Sequence, residues 1–407
     1  MKMTGAGLDD AYNILTTGLE NRKNFDRYFV FTETSAATEL AQRISIDKEP
    51  SKNLLTGIKG CGKTTELLRL LRELDEKYFG VYISMRSDAE VRKVSAPDIL
   101  LSGLLHLYIS ACERNVTLSV ELVKGLATWL QETLVALKIS FEERHHEQKG
   151  LEERVKKAMG ILKAQRPRDS IQGAIEEGKT ELTVCTGQLI AEIEATTGKK
   201  VLLAFDDLDK LPLDRAKTIF VENGDLLASP NCKVVYTAPY SLIHTHDFRE
   251  VTRLFKKYVN QGPAWVHGKD AKEGIEEMKD IVAKRMSLDL LDPEALDGLI
   301  TKTGGVAADL LRCISESCIR AKTDSKDKID SKTVDAVLDD IRKDSSRTLG
   351  ASDCTVLSTV HKNKMADNNE AFLRLLDDGY ILEYVGEEGS YYVHPLIVPV
   401  LRDRKLI

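Results

Sequence analysis

The chain has 407 residues, with 58 basic against 64 acidic side chains and a net charge of -6. That length suits two to three domains with a substantial α/β interior, and the mild acidity excludes charge-driven attachment to nucleic acid except through a local patch. Seven scattered cysteines without a C-x-x-C pair fit reduced thiols better than a disulfide framework or zinc site, and the absence of a signal-peptide core or a membrane-length apolar run predicts a cytoplasmic protein with no membrane partner.

Residues 8–23 carry apolar side chains at helical spacing (Leu8, Ala11, Ile14, Leu15, Leu19). Arg27 to Thr32 reads as a short strand and Ala36 to Ile44 as a helix. The stretch NLLTGIKGCGKTT, Asn53 to Thr65, then sets Gly57-x-x-x-x-Gly62-Lys63-Thr64 between an apolar run and the helical run Glu66 to Leu71. Strand, glycine loop and helix in this order make a phosphate site. The glycines let successive N–H groups turn inward, and the helix adds its positive end. Lys63 is the candidate for the terminal phosphates and Thr64 for Mg²⁺. Gly57, Gly60, Cys61, Gly62, Lys63, Thr64 and Thr65 form the candidate nucleotide-binding set. Cys61 reads as a small filler, although nearby N–H groups would lower its thiol pKa.

Gly80 to Met85 reads as a second strand, and Ala96 to Leu101 opens a long helix with Pro97 in its first turn. From about 115 to 197 the pattern turns helical and then highly charged, as in an insertion between two core strands. Its His145-His146 pair is a poor metal candidate because neighbours on a helix diverge. The basic stretch Lys156 to Arg168 suits a solvated face.

Lys199 to Lys210, KKVLLAFDDLDK, is a buried parallel strand delivering carboxylates at its C-terminal edge. Asp206 is the candidate for Mg²⁺ and Asp207 the candidate base for the attacking water, with helix capping as the plainer reading of Asp207 and Asp209. Lys233 to Pro239 is the next strand, ending in Thr237, a candidate sensor of the terminal phosphate. Arg249 and Arg253 lie on a helical stretch as candidate arginine fingers for a neighbouring subunit, before an expected last strand, Ala264 to His267. Helices follow over 273–321, then near Thr333 to Arg342, Thr355 to Lys362 and Ala371 to Leu376. Two aromatic, β-branched runs, Tyr380 to Val385 and Ser390 to Val393, flank Gly386-Glu387-Glu388-Gly389. Helices followed by such a hairpin form a winged-helix pattern.

GIKGCGKT at 57–64, VLLAFDDLDKL at 201–211, VVYTAP at 234–239 and TGGVAADLLRCISESCIRA at 303–321 together resemble the AAA+ ATPases, in their replication-initiator-like and signal-transduction branch. The ending around Tyr380 to Leu396 is similar to bacterial ATPases of phage-defence or conflict systems. The resemblance implies an α/β P-loop core with a parallel sheet over 1–268, holding the insertion at about 115–197. A helical lid over 269–325 and a C-terminal winged helix over 326–407 follow. It also implies ATP and Mg²⁺ as ligands and Lys63, Asp207 and Thr237 as catalytic residues. The chain departs from the family at Ala307 and Ala308, where a lid arginine is usual, leaving Arg312 or Arg320 as the candidate lid sensor. It departs again at Asp207, where glutamate is usual, so slow hydrolysis is expected.

The leading expectation is an ATP-driven switch acting through a homo-oligomer or a protein effector docked on lid, insertion or winged helix, with bacterial defence as one setting. The alternative is a DNA-bound initiator. Charge disfavours it, because residues 345–407 hold seven basic and nine acidic side chains and the hairpin tip carries Glu387 and Glu388.

Overall fold

The computed structural model describes residues 7–18, 22–30, 35–136, 151, 154–156, 158–160, 179–268, 271–365, 369–384, 386 and 389–407. The chain forms two compact units. One comprises Ala36–Thr56 and Glu66–Val259, the other Met1–Ser35, Gly57–Thr65 and Asn260–Ile407.

The first unit is built on strands β1 (Lys52–Gly57), β2 (Tyr78–Ser84), β3 (Lys200–Asp206), β4 (Lys233–Thr237) and β5 (Lys257–Gln261), ordered β2-β3-β4-β1-β5. β2 runs parallel to β3, β3 to β4 and β4 to β1, with Ser84 opposite Asp206, Phe205 opposite Tyr236 and Leu55 opposite Thr237. Because these strands share one direction, Ser84, Asp206 and Thr237 lie on one carboxyl edge. Alternate residues enter two different cores, as the two-residue period of a strand requires. Val201, Leu203, Phe205, Val234 and Tyr236 pack with Ile99, Leu104, Leu189 and Ile193 of helices Ala96–Glu113 and Lys179–Thr197. Leu202, Ala204, Val235 and Leu55 pack with Leu40, Ile44, Leu67 and Leu70 of helices Ala36–Ile46 and Lys63–Glu73. Burial on both faces explains the unbroken apolar run at 201–205.

Local signals fix the flanking helices. Ser95 and Asp98 close a reciprocal capping box at the start of Ala96–Glu113, with Pro97 in the first turn. Glu66 Oε2 accepts the Ala37 N–H at 2.8 Å, and Arg69 Nη2 donates to Thr38 Oγ1 at 3.0 Å. These bonds tie two helices of one face together. His145, His146, Lys163, Arg166 and Arg168 lie outside the described residues.

In the second unit, helices Ala271–Ala283, Pro293–Lys302 and Ala307–Thr323 share a core with helix Leu8–Leu15 through Leu8, Ala11, Met278, Val282, Leu299, Leu310 and Ile314. Ser331–Thr348, Ala351–Asn363 and Glu370–Asp377 follow. The antiparallel hairpin of β6 (Ile381–Glu383) and β7 (Tyr391–Val393) then pairs Leu382 with Tyr392. Its Tyr391 ring meets Phe372 with centroids 5.1 Å apart. This is the winged-helix order expected from the sequence. Glu387 and Glu388 lie outside the described residues.

Two expected strands are corrected. Of the strand expected over Arg27 to Thr32, Arg27 and Tyr28 instead end the helix Arg22–Tyr28, where Phe25 stacks on Phe29 at 4.7 Å, and Phe31 and Thr32 lie outside the described residues. The last strand is Lys257–Gln261 and not Ala264 to His267. Pro263 has no N–H to give a sheet, and the Ala264 N–H donates to Gly305 O at 3.0 Å. Among the described residues no helix is long and apolar enough to cross a membrane.

Candidate functional site

In the second unit the glycine loop takes backbone angles open mainly to glycine. Gly57, Gly60 and Gly62 have φ of 140°, 86° and 94°, where side chains with a Cβ are strained. A Cβ on Gly57 would lie 2.1 Å from Gln261 O, and one on Gly60 would lie 2.9 Å from Val306 Cγ1. The helix begins at Lys63. The buried Lys63 ammonium folds back to donate to Gly57 O at 2.8 Å and Ile58 O at 3.1 Å. Thr64 and Thr65 occupy the same first turn. Positive-φ glycines, a helix N-terminus and an ammonium held on two loop carbonyls are the parts from which a polyphosphate cradle is built.

Cys61 is buried, and burial pushes its thiol up to about 12, with Lys63 opposing and Asp309 adding to the rise. The lowered thiol pKa considered from the sequence is therefore corrected. Desolvation outweighs the local cation.

The helix Ala307–Thr323, the expected lid helix, meets this loop through its backbone. The Ala308 N–H donates to Gly60 O at 3.1 Å. Arg312 Nη2 pairs with Asp309 Oδ1 at 3.0 Å, and Arg320 Nη1 with Asp340 Oδ2 at 3.0 Å. Both candidate lid sensors thus hold carboxylates of their own unit. Asp309 was missed in the sequence, although an acid in a first helical turn is a recognisable signal. Its carboxyl would be raised by burial, but His394, Arg312 and Lys59 outweigh that and hold it below the ordinary value. His394 Nε2 lies 3.4 Å from Asp309 Oδ2, while its Nδ1 accepts the Leu396 N–H at 3.2 Å.

In the first unit the acids sit at the end of β3. Asp206 is 2% exposed. Its Oδ2 accepts from Tyr82 OH at 2.9 Å, and its Oδ1 accepts the Asp207 N–H at 2.7 Å. Asp207 is left-handed at φ 70°, a strain that favours a functional reading. It stands at the N-cap of the turn Leu208–Lys210, yet its side chain makes no capping bond there. Instead Asp207 Oδ2 accepts from Ser84 Oγ at 2.6 Å and from the Arg86 N–H at 3.2 Å, and Oδ1 pairs with the Lys210 ammonium. Burial alone would raise this carboxyl, but the bonds from Lys210, Ser84 and the Arg86 N–H together hold it below the usual range. Thr237 is fully buried, and its Oγ1 accepts the Leu208 N–H at 2.9 Å. Its observed contact steadies the turn that carries Asp207.

Tyr82, Ser84 and Lys210 were not singled out in the sequence. The register of β2 against β3 brings Ser84 beside Asp206, and pairing across that distance leaves no local trace. Arg249 and Arg253 are exposed on helix Phe248–Leu254, and Arg253 pairs with Glu250. Among the described residues no cluster of three or more His, Cys, Asp or Glu side chains could hold a metal. The hydroxyl of Thr64 and the carboxylate of Asp206 are each oxygen donors of the kind that suits Mg²⁺.

No protein-family model matches the chain, and no curated protein matches it. Among solved structures it is similar to Cdc6p from Pyrobaculum aerophilum, with a TM-score of 0.42 and 13% identity, covering 94% of this chain and 98% of that one. It is similar also to the Aeropyrum pernix ORC1 protein in complex with DNA (TM-score 0.39, 14% identity, 97% of each chain). A third is the Thermotoga maritima RuvB Holliday junction branch migration motor (TM-score 0.39, 14% identity, 95% of each chain). Likeness at this level carries no inference about chemistry.

Proposed function

We propose that the chain is an AAA+-type ATPase that binds ATP, hydrolyses it slowly, and uses its nucleotide state to control self-assembly or the docking of a partner effector. The reading rests on one observation, Lys63 folded onto the carbonyls of a loop with three positive-φ glycines. That arrangement sets an ammonium beside a glycine-rich turn at a helix N-terminus, the parts of a triphosphate cradle. Lys63 would exchange its two carbonyl partners for the terminal phosphates. Thr64 and Asp206 would supply oxygens for Mg²⁺, which neutralises phosphate charge when bound. Asp207 would accept the proton of the attacking water.

The surroundings of Asp207 support slow turnover. A carboxylate with a depressed pKa is a weaker base, and its Oδ2 already accepts two hydrogen bonds. The exposed Arg249 and Arg253 are candidate fingers for a neighbouring copy. Bacterial defence is one setting for such a switch.

The test is phosphate release from ATP and Mg²⁺ with no added acceptor, beside a fluorescent-nucleotide titration. Wild type should release phosphate, and Lys63→Ala should bind about 10- to 100-fold more weakly, the weight of a charged hydrogen bond. Unchanged affinity in Lys63→Ala would sink the site assignment.

One observation favours the second reading, a DNA-bound initiator. Lys364, Arg402 and Lys362 gather around His361 in the winged-helix region, where burial first and these cations next push the imidazole pKa down. Duplex binding that falls with salt and is lost on charge reversal of Lys362 and Lys364 would favour this reading over a protein-binding surface.

A further inference from the structure

Asp88 ends the short helix Met85–Asp88, which continues directly from β2. Its carboxylate is 1% exposed, on a short helix in contact with helix Ala96–Glu113. An isolated carboxylate there would be costly, so its partners must be specific. Oδ2 accepts from Ser102 Oγ and contacts His106 Nε2 at 2.8 Å, both on helix Ala96–Glu113. The other end of the same short helix engages the candidate base. Ser84 caps it, accepting the Ser87 N–H at 3.3 Å, and also donates to Asp207 Oδ2, where the Arg86 N–H also bonds. Four residues therefore connect a buried anchor on one helix to both donors that occupy Asp207 Oδ2.

We propose that Asp88, through Ser102 and His106, is a positioning residue for ATP hydrolysis. It fixes the short helix so that Ser84 and Arg86 occupy Asp207 Oδ2, and turnover is held down while that anchor is intact. The inference rests on Asp207 being the general base. Nothing in the chemistry of nucleotide binding passes through Asp88, so loosening the anchor alters the catalytic step and leaves affinity alone.

The experiment compares kcat for phosphate release with the affinity for a fluorescent ATP analogue in the full chain. His106→Ala and Asp88→Asn should raise kcat about three- to tenfold, the weight of one hydrogen bond, with affinity unchanged. His106→Gln, which restores a donor toward Asp88, should return kcat to the wild-type value. Asp88→Asn combined with Asp207→Asn should fall to the rate of Asp207→Asn alone. If Asp88→Asn does not fold, the half-buried His106 still decides the matter. Unchanged or lower kcat in His106→Ala with intact affinity overturns the anchor, as does a gain that survives loss of Asp207. A wild-type chain that binds ATP but releases no phosphate defeats the hydrolysis reading itself, whereas hydrolysis insensitive to His106→Ala defeats only the anchor.

Discussion

Asp207 combines a strained backbone, burial and three donors, and each of these bears on rate. Asp207→Asn keeps the volume and removes the proposed base. Nucleotide affinity should stay near wild type while phosphate release falls about 10²- to 10⁴-fold; equal turnover would return Asp207 to a structural role. Lys63 and Thr64 stand out in the sequence by spacing alone, because the phosphate-loop pattern is written in eight consecutive residues. The Ser84 partner of Asp207 was not, since it lies 123 positions away in the chain and only strand pairing brings it near. Asp309 gives a prediction with a definite sign. Its carboxyl is depressed in the folded state, so its contribution is present above the ordinary carboxylate pKa of about 3.9 and is lost as pH falls through the lower folded value. Asp309→Asn should therefore lower Tm at neutral pH, and the gap from wild type should close on acidification below about pH 4. A gap that does not change with pH would remove the charge from the explanation.

Among the elements, β3 sets the position of both acids, and its last aromatic residue is held tightly. Phe205 is fully buried and stacks on Tyr236 with centroids 4.9 Å apart. Its Cζ would lie 2.8 Å from a Cβ added at Gly103 of helix Ala96–Glu113. Ala suits a helix better than Gly by about 1 kcal/mol, but overpacking a ring that cannot swing away costs about 1–3 kcal/mol. Gly103→Ala should thus lower Tm by a few degrees in a thermal melt, and a rise in Tm would show that Phe205 yields. The five strands of the sheet illustrate what periodicity can and cannot reveal. β1 to β4 read correctly because both of their faces are buried and their apolar runs are continuous. β5 was misplaced because Lys257, Tyr258 and Asn260 look like a helix end, while Trp265 and Val266 have stronger strand propensity. What decided the matter was the Ala264 N–H bonding to Gly305 O, a tertiary contact without a local signature.

At the scale of the whole molecule, the proposed switch requires that nucleotide change how the chain associates. The alternation of strand and helix and the helices-then-hairpin ending were enough to read an α/β core, a helical region and a winged-helix order from the sequence. The oligomer was not legible, because an exposed arginine such as Arg249 carries the same local signal on a solvated face as at a subunit boundary. The most direct test is the mass of the full chain by light scattering with ADP and with ATP plus Mg²⁺, in wild type, Lys63→Ala and Asp207→Asn. Assembly should appear with ATP in wild type, persist longest in Asp207→Asn, which holds ATP without cleaving it, and fail in Lys63→Ala. If a partner effector is the output instead, the same nucleotide pattern should appear in the mass of the complex. One unchanging mass across every nucleotide and variant, alone and with the partner, would contradict the switch.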